Sequence, residues 1–207
     1  MLLKRARWLI LSLLLISGAL KADTLQFVAG SGVTPSWGGP QISPYTGKLD
    51  STLITIWCVD ERHTVSPGQS WSVYISNLGS GDVSQTRHPS ELDQYEQAAW
   101  LILNTDYLGQ PKDVQGAIQY AIWNLLDSAA RDTPIMDSGD INSELYWMNY
   151  AAAYNPDASY YSNVRILTDI AGERQEFMHI VPEPATLTLL ATGLIGLAGL
   201  VRRRRRS

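Results

Sequence analysis

The chain is short of the residue types on which several common chemistries depend. Its 207 residues include one cysteine and three histidines, so it lacks the Cys/His cluster that a structural zinc site requires. It also contains neither a glycine-rich phosphate loop nor a dinucleotide-binding fingerprint. These absences exclude zinc-finger, P-loop and dinucleotide-binding proteins. We expect no bound cofactor and no metal ion.

Basic residues are scarce between the two ends of the chain. Of the sixteen Lys and Arg residues, four precede residue 22 and five follow residue 201, which leaves seven against all twenty Asp and Glu residues. The intervening body therefore carries a net charge of about −13 rather than −4. Such a body cannot bind phosphates by charge, which excludes nucleic acid as a partner. Its composition is typical of a solvated, secreted domain.

The first 22 residues have the pattern of a secretory signal peptide. Three basic residues precede an apolar run over residues 8–16, and small residues follow it. We predict cleavage after Ala22, with cleavage after Ala19 as the alternative. The apolar run is short for a membrane span, so a retained N-terminal anchor is the weaker interpretation.

The C-terminal end has three consecutive parts. Pro182, Glu183 and Pro184 directly precede an uncharged apolar run over residues 185–201. That run predicts a transmembrane helix, near the short end of the roughly 17–25 residues that cross a bilayer. An arginine block then follows, which the positive-inside rule assigns to the cytoplasm: Arg202, Arg203, Arg204, Arg205 and Arg206.

This tail, residues 181–207, is similar to the PEP-CTERM sorting signal of Gram-negative bacteria. The resemblance implies an exported protein whose inner-membrane precursor is recognised by an exosortase, a membrane protease. The exosortase would remove the tail and pass the protein to the cell surface or the extracellular space. An ordinary tail anchor is the alternative interpretation.

Between the two ends, residues 23–180 predict a single α+β domain. Strand patterns cover residues 25–28, 51–59, 70–78, 164–169 and 175–180, and helical patterns cover residues 90–103, 113–127 and 143–154. This order predicts an antiparallel β-sheet, sandwich-like or barrel-like, with a helical insertion packed on it. The turn at Pro67-Gly68 predicts a hairpin-like unit between the second and third strands. Residues 30–44, rich in Gly, Ser and Pro, predict a long loop.

Two helix starts have capping signals. Ser90 with Asp93 three residues later has the spacing of a capping box. Asp113, directly after Pro111-Lys112, occupies the place of an N-cap. We therefore expect the first two helices to begin at these residues.

The second helical pattern contains an amide that a core helix does not need. Gln119 lies beside a buried face whose apolar residues recur at spacings of three and four: Val114, Ile118, Ala121, Ile122 and Leu125. A buried amide without partners costs roughly 1–3 kcal/mol, so Gln119 must be hydrogen-bonded or consumed by chemistry. The lone cysteine, Cys58, is a candidate reactant.

A single Cys after an aromatic residue at a strand end, followed by Gln-x-Ala-Ile-Trp on a helix, resembles the bacterial thioester domains. In that family the Cys sulfur and the Gln side-chain carbonyl are joined with loss of ammonia. The resemblance implies a thioester between Cys58 and Gln119 that couples the chain to an amine-bearing surface protein or to an exopolysaccharide matrix. The role would be adhesion rather than enzymatic turnover. A Thr usually precedes the family Gln, where this chain has Ile118, and Gln115 is the alternative partner.

A thioester needs walls that exclude water, and Trp57, Tyr120 and Trp123 are the predicted ones. Two other interpretations remain for Cys58. It packs as a small hydrophobe in a structural exopolysaccharide-matrix protein that has no thioester. Alternatively, it is the nucleophile of a cysteine hydrolase, with His63 or His88 as the base.

Residues 137–144 gather carboxylate and amide oxygens in one loop. Their spacing differs from that of a standard calcium-binding loop. We expect a solvated loop that leads into a capped helix, without a tight calcium site.

Overall fold

The computed structural model describes residues 22–154 and 156–182. Most of the predicted signal peptide, the apolar run at 185–201 and the arginine block therefore lie outside the described residues, as do Glu183 and Pro184. Pro182 is described and exposed. Among the described helices, none combines the length and apolarity that crossing a membrane requires.

Six antiparallel strands close into a barrel in the order β1-β2-β3-β6-β5-β4. The strands are β1 (Asp23–Ala29), β2 (Tyr45–Leu49), β3 (Thr52–Cys58), β4 (Ser70–Asn77), β5 (Val164–Asp169) and β6 (Phe177–Ile180). Closure pairs every strand on both sides and leaves no free edge. The predicted α+β class with a barrel-like antiparallel sheet is confirmed.

The predicted pairing of β3 with β4 is wrong. β3 pairs with β2 and β6, whereas β4 pairs with β1 and β5. The sequence pattern missed β2, which forms a tight hairpin with β3 around Asp50, a residue with φ of +50°. Gly47 and Lys48 interrupt its alternation, and a Cβ on Gly47 would lie 3.0 Å from Ile56 Cδ1. The close contact with Ile56 on the neighbouring strand therefore favours glycine at this position, and the glycine weakens the strand pattern in the sequence.

Three helices are inserted between β4 and β5, as predicted. They are α1 (Leu92–Asn104), α2 (Lys112–Leu126) and α3 (Glu144–Ala152), and all three pack against one another. Short 3₁₀ turns lie at Leu78–Ser80, Tyr107–Gly109 and Ala158–Tyr161. Ser143 caps α3 by accepting a hydrogen bond from the backbone N–H of Leu145.

The predicted capping box of α1 is wrong. The helix begins at Leu92 with Glu91 at the cap position, and no side chain bonds to the cap. Ser90 lies one residue too early to serve. The backbone N–H of Tyr95 bonds to the Glu91 carbonyl instead, at 3.2 Å.

The apolar residues form two buried clusters on opposite faces of the sheet. The inner cluster takes residues from all six strands, including Cys58, together with Tyr120 and Trp123 of α2. It therefore fills the barrel interior. The outer cluster, which includes Trp57, lies between the barrel wall and the helices. Helix α2 contributes to both clusters, which brings its polar Gln119 to the barrel.

Candidate functional site

Cys58 is the last residue of β3 and faces the barrel interior. It is a free thiol with no solvent exposure. Its backbone N–H donates to Ser43 Oγ at 2.7 Å, and its thiol donates to the carbonyl oxygen of Asp60 at 3.1 Å. The sulfur is therefore fixed in a dry place at one end of the barrel.

Gln119 projects from α2 onto the same strand end. It too has no solvent exposure. Its Oε1 accepts a hydrogen bond from the backbone N–H of Ser43 at 3.0 Å, and its Nε2 donates to the Cys58 carbonyl oxygen at 2.8 Å. Because one partner donates and the other accepts, the orientation of the amide is determined.

The alternative glutamine is directed elsewhere. Gln115 is half-buried, and its Nε2 donates to the Gln110 carbonyl oxygen at 2.8 Å. The structure thus brings Gln119 to Cys58, across 61 positions of sequence, and leaves Gln115 at the start of its own helix.

Two of the three predicted walls lie beside Cys58. Tyr120 and Trp123 share its cluster, with ring centroids 5.2 Å apart. Trp57 was wrongly predicted to be a wall: successive strand residues point to opposite faces, and Trp57 packs edge-on against Tyr107 on the outer face at 4.9 Å.

Burial is the dominant electrostatic influence on the sulfur. It raises the pKa of the Cys58 thiol to about 12 from an ordinary value near 9.0. The Asp60 peptide and the indole N–H of Trp123 act in the opposite direction on that pKa. Among the described residues the Trp123 indole N–H has no hydrogen-bond partner of normal geometry. At neutral pH Cys58 is therefore a protonated thiol.

Residues 30–44, which we call the covering loop, lie along the face of α2 that carries Gly116 and Tyr120. Trp37 meets Tyr120 edge-on at 6.2 Å. A Cβ on Gly116 would lie 2.6 Å from Pro35 Cγ and 2.8 Å from Trp37 Cζ2. The glycine thus permits the loop to approach the helix closely.

Asp113 holds this loop instead of capping α2. The helix begins at Lys112 with Pro111 at the cap position and has no side-chain cap. The Asp113 carboxylate accepts hydrogen bonds from the backbone N–H and the hydroxyl of Ser36, at 2.6 and 2.5 Å. These bonds lower the pKa of Asp113. The predicted cap is therefore wrong, and the carboxylate serves a tertiary contact.

Glu176 stabilises the chain directly after the end of β3. Its backbone carbonyl accepts from the Val59 N–H at 3.1 Å. The fully buried carboxylate accepts from the Arg87 N–H at 2.9 Å, from Thr168 Oγ1 at 2.5 Å and from the Tyr95 hydroxyl. Glu176 thereby ties α1 and β5 together through its side chain and holds the segment after Cys58 through its backbone.

The two histidines considered for a hydrolase are paired with carboxylates. His63 Nδ1 lies 2.8 Å from Asp60 Oδ2, and His88 Nδ1 lies 3.6 Å from Glu91 Oε2. Within the described part of the chain, neither imidazole is hydrogen-bonded to Cys58, whose thiol donates to a backbone carbonyl. This arrangement lacks the base that activates a cysteine nucleophile.

The oxygen-rich loop at 137–144 uses its carboxylates internally. Asp137 accepts from the Gly139 N–H at 2.9 Å, and Asp140 accepts from the Asn142 N–H at 2.8 Å. Glu144 is buried and accepts from the Thr133 N–H at 3.0 Å. Residues 22–154 and 156–182 contain no group of three or more metal-ligating side chains.

Comparison with known proteins identifies the C-terminal segment. The PEP-CTERM protein-sorting motif matches residues 181–206, which confirms the resemblance of the tail. The motif implies export by way of a membrane-anchored precursor, processing by an exosortase, and a place at the cell surface or outside the cell. No curated protein matches the chain.

Two solved structures are similar to the described domain. One is the N-terminal thioester domain of a surface protein from Clostridium perfringens, with 11% identity, a TM-score of 0.44, and coverage of 75% of this chain and 97% of that chain. The other is the N-terminal domain of the Streptococcus pyogenes pilus tip adhesin Cpa, with 14% identity, a TM-score of 0.42, and coverage of 77% and 93%. Likeness at this level does not assign chemistry to Cys58 and Gln119.

Proposed function

We propose that this domain is an adhesive module that forms an internal thioester between Cys58 and Gln119 and then couples to a primary amine on a partner. The observation that carries the proposal is the 2.8 Å hydrogen bond from Gln119 Nε2 to the Cys58 carbonyl oxygen, between two residues without solvent exposure. It holds a carboxamide against the backbone of the only cysteine in the chain. The sorting motif supplies the complementary part, because adhesion requires a surface location.

Formation of the thioester needs no reagent besides the two side chains and releases only ammonia. Cys58 Sγ bonds to Gln119 Cδ, the bond from Cδ to Nε2 breaks, and the thiol proton leaves with Nε2 as ammonia. Because the pKa of Cys58 is raised to about 12, little thiolate is present at neutral pH. The proton therefore moves to nitrogen as the carbon–nitrogen bond breaks, and the reaction occurs once per chain rather than in turnover.

The surroundings of the two residues protect an activated acyl group from water. Tyr120 and Trp123 of α2 and Tyr45 and Phe177 of the barrel belong to the same buried cluster as Cys58. A dry site slows hydrolysis of a reactive intermediate. An amine must therefore enter past the covering loop, whose contacts with α2 regulate access.

We expect the amine that reacts with the thioester to come from a partner rather than from a lysine of this chain. Only Lys48 and Lys112 occur between the two ends of the chain, and Lys112 is exposed at the start of α2. The strongly acidic body attracts cationic surfaces at long range. A lysine-bearing surface protein, or a matrix polymer that carries amines, fits this charge.

Intact mass spectrometry of the chain tests the proposal. The isolated protein should be about 17 Da lighter than the same protein after treatment with ammonia, which restores the thiol and the carboxamide. Cys58→Ala and Gln119→Ala should each abolish the difference, and methylamine should add to the wild type but to neither of these variants. Gln115→Ala is the matched control and should retain the difference.

A wild-type chain of full sequence mass, with no methylamine adduct, would refute the thioester. The structural matrix role would then stand. Loss of the mass difference in Gln115→Ala and its survival in Gln119→Ala would instead assign the bond to the other glutamine.

A further inference from the structure

One residue of the covering loop bonds to both reacting residues. Ser43 is buried; its backbone N–H donates to Gln119 Oε1 at 3.0 Å, and its Oγ accepts the Cys58 N–H at 2.7 Å. Together with the bond from Gln119 Nε2 to the Cys58 carbonyl, these contacts form a closed ring of three residues. We infer that Ser43 is a catalytic residue of the thioester chemistry, on whose existence this inference rests. Its N–H stabilises the oxyanion on Gln119 Oε1, and its hydroxyl fixes the position of Cys58.

Both steps of the chemistry place negative charge on the same oxygen. In formation, Cys58 Sγ attacks Gln119 Cδ, the carbonyl electron pair moves onto Oε1, and ammonia then leaves with the thiol proton. In coupling, an amine nitrogen attacks the same carbon and the charge develops on Oε1 again. Sγ then leaves and takes one of the amine protons. A donor already placed on that oxygen stabilises both transition states.

The Ser43 N–H is fixed before the reaction begins. The preceding residue, Ile42, is fully buried and donates its N–H to the Val33 carbonyl at 3.0 Å. The Ile42 carbonyl accepts from the Ser31 hydroxyl. The Ser43 side chain bonds in turn to the end of β3. A donor held in this way needs no reorganisation when charge develops, and the dry surroundings strengthen its effect.

The hydroxyl of Ser43 determines the relative position of loop and strand. The Cys58 N–H lies at the barrel end and donates to Ser43 Oγ. Removal of the hydroxyl leaves a buried N–H unsatisfied and frees the two segments to separate. The acyl oxygen would then lose its donor even though the peptide of residue 43 is intact.

The direct test replaces the peptide bond between Ile42 and Ser43 with an ester in the intact chain, which removes the N–H and retains every side chain. Ammonia treatment opens the thioester, and the return of the 17 Da deficit after ammonia is removed reports its formation. We expect the opening and re-forming rates both to fall about 100-fold. The equilibrium fraction of thioester should change far less than either rate. A residue with a merely structural role would not lower both rates while leaving the equilibrium nearly unchanged.

Side-chain variants provide the second test. Ser43→Ala should slow both rates at least about tenfold, and Ser43→Thr, which restores the hydroxyl, should recover most of the loss. Ser143→Ala is the matched control, because it removes another buried serine hydroxyl that accepts backbone N–H bonds, from Asp137 and Leu145 at the start of α3, away from the reacting atoms. Its rates should remain those of the wild type.

Two outcomes separate this inference from the proposed function. If the wild type shows the deficit and the ester and Ser43→Ala chains react as fast as Ser143→Ala, Ser43 has no catalytic role. If the wild type shows no mass change with ammonia, the thioester itself is refuted. A melting curve for each variant identifies any that fail to fold, and the ester, which preserves the side-chain bond, then decides.

Discussion

A single methyl group at Gly116 should displace the covering loop. A Cβ there would lie 2.6 Å from Pro35 Cγ and 2.8 Å from Trp37 Cζ2, closer than real Cβ contacts come. Helix α2 packs against two other helices and contributes to both clusters. The loop, in contrast, is held near this point by the surface bonds of Asp113 to Ser36. The loop must therefore move rather than the helix.

The sign of the stability change depends on two opposing effects. Replacing glycine by alanine inside a helix gains about 0.8–1 kcal/mol from helix propensity. Overpacking costs about 1–3 kcal/mol, and loss of the edge contact between Trp37 and Tyr120 costs about 0.5–1.5 kcal/mol more. We therefore expect Gly116→Ala to lower the free energy of unfolding by about 0.5–4 kcal/mol. For a domain of this size that lowers Tm by roughly 1–16 °C.

Thermal unfolding and the rate of methylamine addition measure the two consequences together. Gly116→Ala should unfold at lower temperature and react faster with methylamine, because the displaced loop no longer covers the site. The double variant Trp37→Ala/Gly116→Ala should show a smaller stability penalty for the added methyl group than the penalty measured with Trp37 present. A higher Tm with an unchanged methylamine rate would refute the reasoning, since helix propensity alone would then have acted.

Three further predictions concern the buried carboxylate of Glu176, the thiol of Cys58 and the C-terminal sorting tail. Glu176→Leu should lower the free energy of unfolding by about 3–5 kcal/mol in urea titrations, because two buried hydroxyls and one half-buried backbone N–H lose their acceptor. Glu176→Gln should cost less. The folded-state pKa of Cys58, about 12, lies above its ordinary value near 9.0, so the stability contributed by the thiol is lost as pH rises from 9 to 12. Gln119→Ala, which keeps the thiol, should therefore lose stability over that window relative to Cys58→Ala/Gln119→Ala; parallel profiles would contradict the pKa shift. Protein recovered from the cell surface should lack residues 202–206 by intact mass, and their retention would indicate an ordinary anchor.

Periodicity and motif, which are local properties, determined much of this protein from the sequence. Five of the six strands and all three helices follow from alternation and from the helical repeat, because burying one face requires the same spacing in any fold. The sorting tail is equally local, since its proline–glutamate–proline, apolar and arginine parts are contiguous. The prediction that Gln119 has a special role is also local, because it depends on an amide beside the apolar face of one helix.

The tertiary structure alone decided which residues meet. Strand pairing depends on which strands become neighbours when the barrel closes. The sequence pattern therefore predicted the wrong pairing of β3 with β4, and it did not reveal β2. Which side chains of a strand point into the barrel depends on where the core lies. Trp57 consequently lies on the outer face, away from the site. Asp113 looked like a cap because caps and loop anchors use the same carboxylate.

Ser43 shows the same limit at the candidate site. It lies in a loop without periodicity, 15 residues before Cys58 and 76 before Gln119, and nothing in its neighbours distinguishes it from other loop serines. Its importance comes from a backbone N–H, which every residue except proline possesses. Only the packing of the covering loop against α2 and the end of β3 selects that N–H, because hydrogen bonds over such separations depend on the closed barrel rather than on local sequence.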